Sequence, residues 1–204
     1  MTAEVSPARL VVLVSGNGSN LQAVLDACRN RSLPAEVVAV FSNRKEAYGL
    51  ERARAAGVPA VWQPKPKDQD RRQYDATLAD AVIHYRPDWI LLLGWMRLLS
   101  SPFLEHFPGR VINLHPALPQ TFPGINAIQR AFDAYQLGHI EHTGVMVHLV
   151  PDEGVDCGPL LGQQEVPIYP QDDLHILEDR IHQVEHHLLV TVLAGVLASA
   201  PTSY

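Results

Sequence analysis

Near the middle of the chain runs NLHPALPQTFPG, Asn113 to Gly124. Asn113 and His115 stand two residues apart at the end of an apolar run, so on a β-strand they share a face. An amide donor beside an imidazole suits a developing oxyanion: asparagine donates N–H, and a protonated histidine donates N–H with charge. Pro116 biases His115 towards an extended backbone. Further on, PDEGVDCGP (Pro151 to Pro159) sets Asp156 between Gly154 and Gly158, in a loop able to bring a carboxylate against a site. Asp156 near His115 raises the imidazole pKa and keeps the ring charged, and a water held by it relays a proton. Asp152 and Glu153 are competing acids. The plain structural alternatives are a polar strand end bonded to loop backbone and an Asx-turn carboxylate.

A second stretch, LVVLVSGNGSNLQAVLDA (Leu10 to Ala27), joins a strand-like run to a helix-like one through two glycines, Gly16 and Gly18. Such a turn leaves backbone N–H groups free at a helix N-terminus, where an anion is stabilised. Asn17, Ser19 and Asn20 add side-chain donors. A dinucleotide fingerprint wants a third glycine where Leu21 stands, and an acid near the end of the second strand, where Ser42 and Asn43 stand. The Walker G-K-[ST] is absent. The loop fits a single phosphate; a tight turn without a ligand is the alternative.

The elements that must position these groups alternate. Strands are expected over Arg9–Val14, Glu36–Phe41, Val58–Trp62, Trp89–Gly94 and Arg110–His115. Helices are expected over Ser19–Cys28, Glu46–Ala56 (closed by Gly57), Gln69–Tyr85 and Asn126–Tyr135. This order predicts an α/β fold, a Rossmann-like, mostly parallel sheet covered on both faces by helices. Val145–Val150 and Leu160–Ile168 follow with only a loop between, which predicts an antiparallel C-terminal extension, and a long helix from Asp173 to about Ala198 ends the pattern. In such a sheet Asn113 and His115 lie at the carboxyl end of a strand, where ligands bind.

The chain has 204 residues, 47% hydrophobic and 19% charged, which suits one domain over 1–204 with a large core. A net charge of −6 argues against a nucleic-acid partner and against attraction to an anionic membrane. Cys28 and Cys157 form neither a C-x-x-C pair nor a disulfide framework. No apolar stretch approaches the length of a membrane span, and the N-terminus lacks a signal-peptide core, so a cytoplasmic setting is expected.

Taken together, SGNGSNLQA, FSN with GLERA, GWMRLLS at 94–100, NLHP, DEGVDCGP and RIHQVEH at 180–186 resemble the phosphoribosylglycinamide formyltransferases, in order and spacing along nearly the whole chain. The resemblance implies the formyltransferase fold and a formyl transfer from 10-formyltetrahydrofolate to the amine of glycinamide ribonucleotide, in purine synthesis, with no metal. It implies a catalytic set of Asn113, His115 and Asp156. It implies that Gly16, Asn17, Gly18, Ser19 and Asn20 hold the substrate phosphate and that Glu185 reaches the ribose. Met96, Arg97, Leu98 and Leu99 match the segment that lines the folate pocket; Val111 and Val150 complete it, and Arg71 is a further anion contact. A monomer or homodimer is expected.

The chain departs from many members in HPALPQTFPG, where Thr121 replaces a lysine. Other readings stay open. A methionyl-tRNA formyltransferase carries an extra, typically basic domain, and a formyltetrahydrofolate hydrolase has no sugar phosphate for SGNGSN to hold. His182 and His186 have i,i+4 metal-ligand spacing but lack the glutamate of H-E-x-x-H. Cys157 lacks a clear activating base. A non-catalytic phosphate-binding module explains the glycine turn alone.

Overall fold

The computed structural model describes residues 6–199. Its strands are β1 (Ala8–Val14), β2 (Ala35–Ser42), β3 (Ala60–Trp62), β4 (Trp89–Leu92), β5 (Val111–His115), β6 (His142–Leu149) and β7 (Leu160–Pro167). Its helices are α1 (Ser19–Arg29), α2 (Tyr48–Ala55), α3 (Arg71–Ile83), α4 (Ser101–Leu104), α5 (Ala127–Gln136) and α6 (Leu174–Ser199). The strands form one seven-stranded sheet in the order β3-β2-β1-β4-β5-β6-β7. β1 to β5 pair in parallel, while β6 pairs antiparallel with β5 and with β7. The chain winds outward from β1 to β3, then returns to β1 and continues the other way from β4. The reversal leaves a crevice beyond the carboxyl ends of β1 and β4, the place where open α/β sheets bind ligands.

Alternation along the strands builds two cores, one on each face. Leu10, Val12 and Val14 of β1 face Leu21 and Val24 of α1, Leu50 of α2, Phe132 of α5 and Leu177, Ile181 and Leu189 of α6. Val11 and Leu13 face Tyr74, Leu78 and Val82 of α3 and Phe103 of α4. β5 sends Ile112 and Leu114 to the first core and Val111 to the second. Asn113 and His115 therefore share Val111's face, as the two-residue spacing requires.

The expected elements are present with shifted ends. α2 starts at Tyr48 rather than Glu46, β4 stops at Leu92 rather than Gly94, and β6 starts at His142 rather than Val145. The four-residue α4 has no counterpart among the expected elements; it is too short to show a helical period. One expectation is corrected. α6 is long and apolar enough, by length and composition, to cross a membrane. Its first half mixes acids and histidines, which masks the uncharged LLVTVLAGVLAS that follows. In the fold this helix packs against the sheet, with Leu177, Ile181, Leu189 and Leu193 wholly buried.

Candidate active site

A cleft of about 1040 Å³ opens at the carboxyl ends of β1, β4 and β5. Residues 15–20, 92–99, 113–116, 124–129 and 152–156 line it, with His148, Val150 and, from α6, Glu178, His182 and Glu185.

In this cleft β1 runs into the turn Ser15–Gly18. Gly18 takes a left-handed φ of 74° and caps α1 without a side chain, so the first-turn N–H groups have no side-chain partner there. Asn20 reaches across to α6 and donates Nδ2–H to Glu185 Oε2 at 3.0 Å. His182 Nδ1 meets the same oxygen at 2.8 Å. Glu185 is 4% exposed, a buried carboxylate held by two donors on one oxygen.

From β5, Asn113 Nδ2 donates to Asp156 Oδ1 at 3.0 Å. His115 Nδ1 lies 3.4 Å from Asp156 Oδ2, which also accepts Gly124 N–H at 2.8 Å. His115 Nε2 is 3.1 Å from the Phe122 carbonyl. Asp156 and Phe122 hold φ of 50° and 45°, and Asn126 holds 54°. For the aromatic Phe122 this backbone is strained, by about 1–3 kcal/mol. The strain falls where the Phe122 carbonyl is aimed at a catalytic candidate.

Burial penalises the Asp156 carboxylate, yet the nearby His148 and His115 imidazoles and the Gly124 N–H bond outweigh it and hold its pKa below the ordinary range. His115 corrects an expectation. Its pKa is lowered, not raised, because desolvation by burial exceeds the opposing pull of the Asp156 charge and the Phe122 carbonyl.

The third group follows β4. Gly94 turns with φ 77°, and Met96 N–H donates to Ser15 Oγ at 2.9 Å, tying this segment to the glycine turn. Met96 and Leu98 are 56% and 47% exposed into the cleft, beside Arg97 and Val150.

The structure thus brings together in one cleft Gly16, Asn17, Gly18, Ser19, Asn20, Met96, Arg97, Leu98, Leu99, Asn113, His115, Val150, Asp156 and Glu185. Two expected residues fall outside it. Val111 is wholly buried in the second core beneath the cleft floor. Arg71 does not line the cleft; its guanidinium pairs with Glu153, which does. Glu153 also accepts from Ser101 N and Oγ, both at 2.9 Å, so this competing acid is committed to α3 and α4. Asp152 is committed to its own turn through Gly154 N–H.

His148 is the residue that sequence reasoning missed. It is 2% exposed, with Nε2 3.1 Å from Asn113 Nδ2 and 3.6 Å from Asp156 Oδ1. The available signal was alternation in VMVHLV, which sets His148 opposite Val145 and Val147. Both Asn113 amide hydrogens consequently have partners, and one must exchange for Asn113 to meet an oxyanion.

A mostly parallel sheet with its cleft at the strand reversal, lined by an uncapped helix start and an amide–imidazole–carboxylate cluster, is the arrangement of an α/β enzyme, with groups of the kind that suit an anion and a polarised carbonyl. Residues 8–193 match the family described as formyl transferase, and the chain belongs to it. It is 47% identical over 202 residues to the phosphoribosylglycinamide formyltransferase of Schizosaccharomyces pombe, covering 93% of this chain and 97% of that one. The enzyme of that name from Escherichia coli is 40% identical over 185 residues, covering 91% and 85%. Among solved structures, glycinamide ribonucleotide transformylase 1 from Symbiobacterium toebii superposes with a TM-score of 0.88 at 39% identity, covering 95% of this chain and 89% of that chain. The phosphoribosylglycinamide formyltransferase of Bacillus halodurans gives 0.89 at 32%, covering 96% and 98%.

Proposed function

We propose that this chain is a single-domain phosphoribosylglycinamide formyltransferase, which moves the formyl group of 10-formyltetrahydrofolate onto the amine of glycinamide ribonucleotide. The observation that carries the reading is the His115–Asp156 contact, 3.4 Å, in one cleft with the glycine turn and the Met96–Leu99 segment. The cleft's 1040 Å³ suits two small-molecule substrates held end to end. Its residues fit each. Free N–H groups at the start of α1 suit a phosphate, and exposed Met96 and Leu98 beside Arg97 suit a flat heterocycle with polar edges.

In this reading Gly18, Ser19 and Asn20 hold the phosphate, within the turn that Gly16 and Asn17 begin. Glu185 offers Oε1 to a ribose hydroxyl, since Asn20 and His182 occupy Oε2. Met96 to Leu99 and Val150 hold the folate. With both ends anchored, the amine sits against the formyl carbon, and orientation supplies much of the acceleration.

A nitrogen–carbon bond forms to the amine, and the bond from the formyl carbon to the folate nitrogen breaks. Asn113 and His115 donate to the formyl oxygen while it carries negative charge; one such donor is worth about 3 kcal/mol. Asp156 favours the proton on His115 as that charge builds, opposing the burial that lowers its pKa. Through water, Asp156 passes the proton released by the amine to the departing folate nitrogen. Two free cysteines, Cys28 and Cys157, suit a reducing cytoplasmic setting.

The test is incubation of the purified chain with both substrates, reading formylated product by mass and released folate by absorbance. Stoichiometric appearance of both supports the reading. Folate release without formylated ribonucleotide contradicts it in favour of a hydrolase, and transfer to methionyl-tRNA alone contradicts it in favour of that enzyme.

A further inference from the structure

Beyond the groups that face the cleft, we propose that Arg52 of α2 is a positioning residue for the anion loop: it holds the turn from behind and sets the direction of its N–H groups. This rests on the phosphate reading above.

Arg52 Nε donates to the Asn17 carbonyl at 2.9 Å, and one terminal nitrogen donates to Asn17 Oδ1 at 2.9 Å. The other reaches Gln22 Oε1 of α1 at 3.2 Å. The guanidinium also stacks 4.8 Å from the Tyr48 ring centroid, which fixes its plane. One residue earlier, the Gly16 carbonyl accepts Gly49 N–H at 3.1 Å. α2 approaches so closely here that a Cβ on Gly18 would lie 2.8 Å from Gly49 Cα, and a Cβ on Gly49 would lie 2.8 Å from Val14 Cγ2.

A trans peptide points its C=O and the following N–H in opposite directions. With the Gly16 and Asn17 carbonyls both turned to α2, the N–H groups of Asn17 and Gly18 are turned away from it. Residues 16–20 line the cleft and neither Gly49 nor Arg52 does. The side away from α2 is therefore the cleft side. The backbone is thus preorganised to donate, and the hold from α2 does what a ligand would otherwise have to do on binding. Arg52 touches no substrate in this account. Its loss loosens the turn, so it weakens the phosphate end and leaves the folate end and the carbonyl chemistry alone.

The test compares Arg52→Ala, Arg52→Lys and a control, Arg54→Ala. Arg54 lies exposed on the same helix and, among the described residues, its guanidinium pairs only with Glu51, so its loss removes the same charge without touching the loop. Three readouts are taken: inorganic phosphate affinity from the amide resonances of Asn17, Gly18, Ser19 and Asn20, KM for each substrate, and kcat. For Arg52→Ala the expectation is about a tenfold loss of phosphate affinity and a matching rise in KM for glycinamide ribonucleotide, with kcat and folate KM within about twofold. Arg52→Lys keeps one donor, not the fork, and falls between; it carries the test if Arg52→Ala does not fold. Arg54→Ala stays within about twofold throughout. A folded Arg52→Ala or Arg52→Lys protein with wild-type phosphate affinity overturns the positioning role while leaving the phosphate site standing. Phosphate that shifts none of these amides in the wild type removes the phosphate site and this inference together. An equal loss in Arg54→Ala overturns it in favour of a mere charge effect.

Discussion

Asn113 and His148 are register partners across β5 and β6, and Asn113 Nδ2 lies 3.1 Å from His148 Nε2. His148 Nδ1 lies 2.8 Å from the Leu149 carbonyl, which can only accept, so in the neutral ring Nδ1 carries the proton and Nε2 accepts from Asn113. The buried imidazole thereby turns the Asn113 amide nitrogen, rather than its oxygen, towards Asp156. His148→Ala should lower kcat about ten- to hundredfold with both KM values within about twofold. His148→Gln, which keeps an acceptor, should recover part of the loss. Steady-state kinetics on the two variants checks this; a His148→Ala enzyme with wild-type kcat removes the role.

His115 should titrate below the ordinary 6.5, because desolvation dominates its surroundings. A group with a depressed folded pKa contributes stability above its unfolded value, and that contribution is lost as pH falls through the folded one. Asp156→Asn removes the largest opposing influence and should lower the midpoint further. Imidazole proton resonances followed through a pH series read both midpoints; a rise in the variant contradicts the charge coupling.

How much of this site can be read from the chain depends on the kind of interaction. The β5 face was legible, because two-residue alternation is a local property, and so was the glycine turn, because a strand, two glycines and a helix lie within one short stretch. Depth was not. Val111 and Val150 are the same residue type beside the same site, yet one is sealed in the second core and the other lines the cleft. Alternation assigns a face and says nothing of what covers it. Partner choice was equally hidden: Arg71 and Glu153 lie far apart in sequence and meet only once α3 and the Pro151–Pro159 loop are in place. His148 joined the cluster through antiparallel register, which no local pattern specifies. The direction of the His115 shift turned on burial, which the neighbouring carboxylate alone does not reveal.

The His182–Glu185 bond, 2.8 Å, raises the His182 pKa above 6.5 against partial desolvation, and the charges of Glu185, Glu178 and Asp179 act in the same sense. With a raised folded pKa the native chain holds the proton more tightly than the unfolded chain. The stabilisation is complete below 6.5 and is lost as pH rises through the folded value. His182→Ala should therefore lower Tm more at about pH 6 than at about pH 8.5. Thermal melts of both proteins at the two pH values check the sign, and an equal loss at each pH contradicts it.

The most direct measurement is the turnover of Asp156→Asn with glycinamide ribonucleotide and 10-formyltetrahydrofolate at saturation, beside the wild type. The amide keeps the size of the side chain and removes the charge that faces both imidazoles. A central role for the carboxylate predicts a fall in kcat of about a thousandfold, with affinity for both substrates nearly kept. A variant that turns over within about threefold of the wild type would mean that the proton and the charge are handled elsewhere, and the assignment of this cluster as the reaction centre would be wrong.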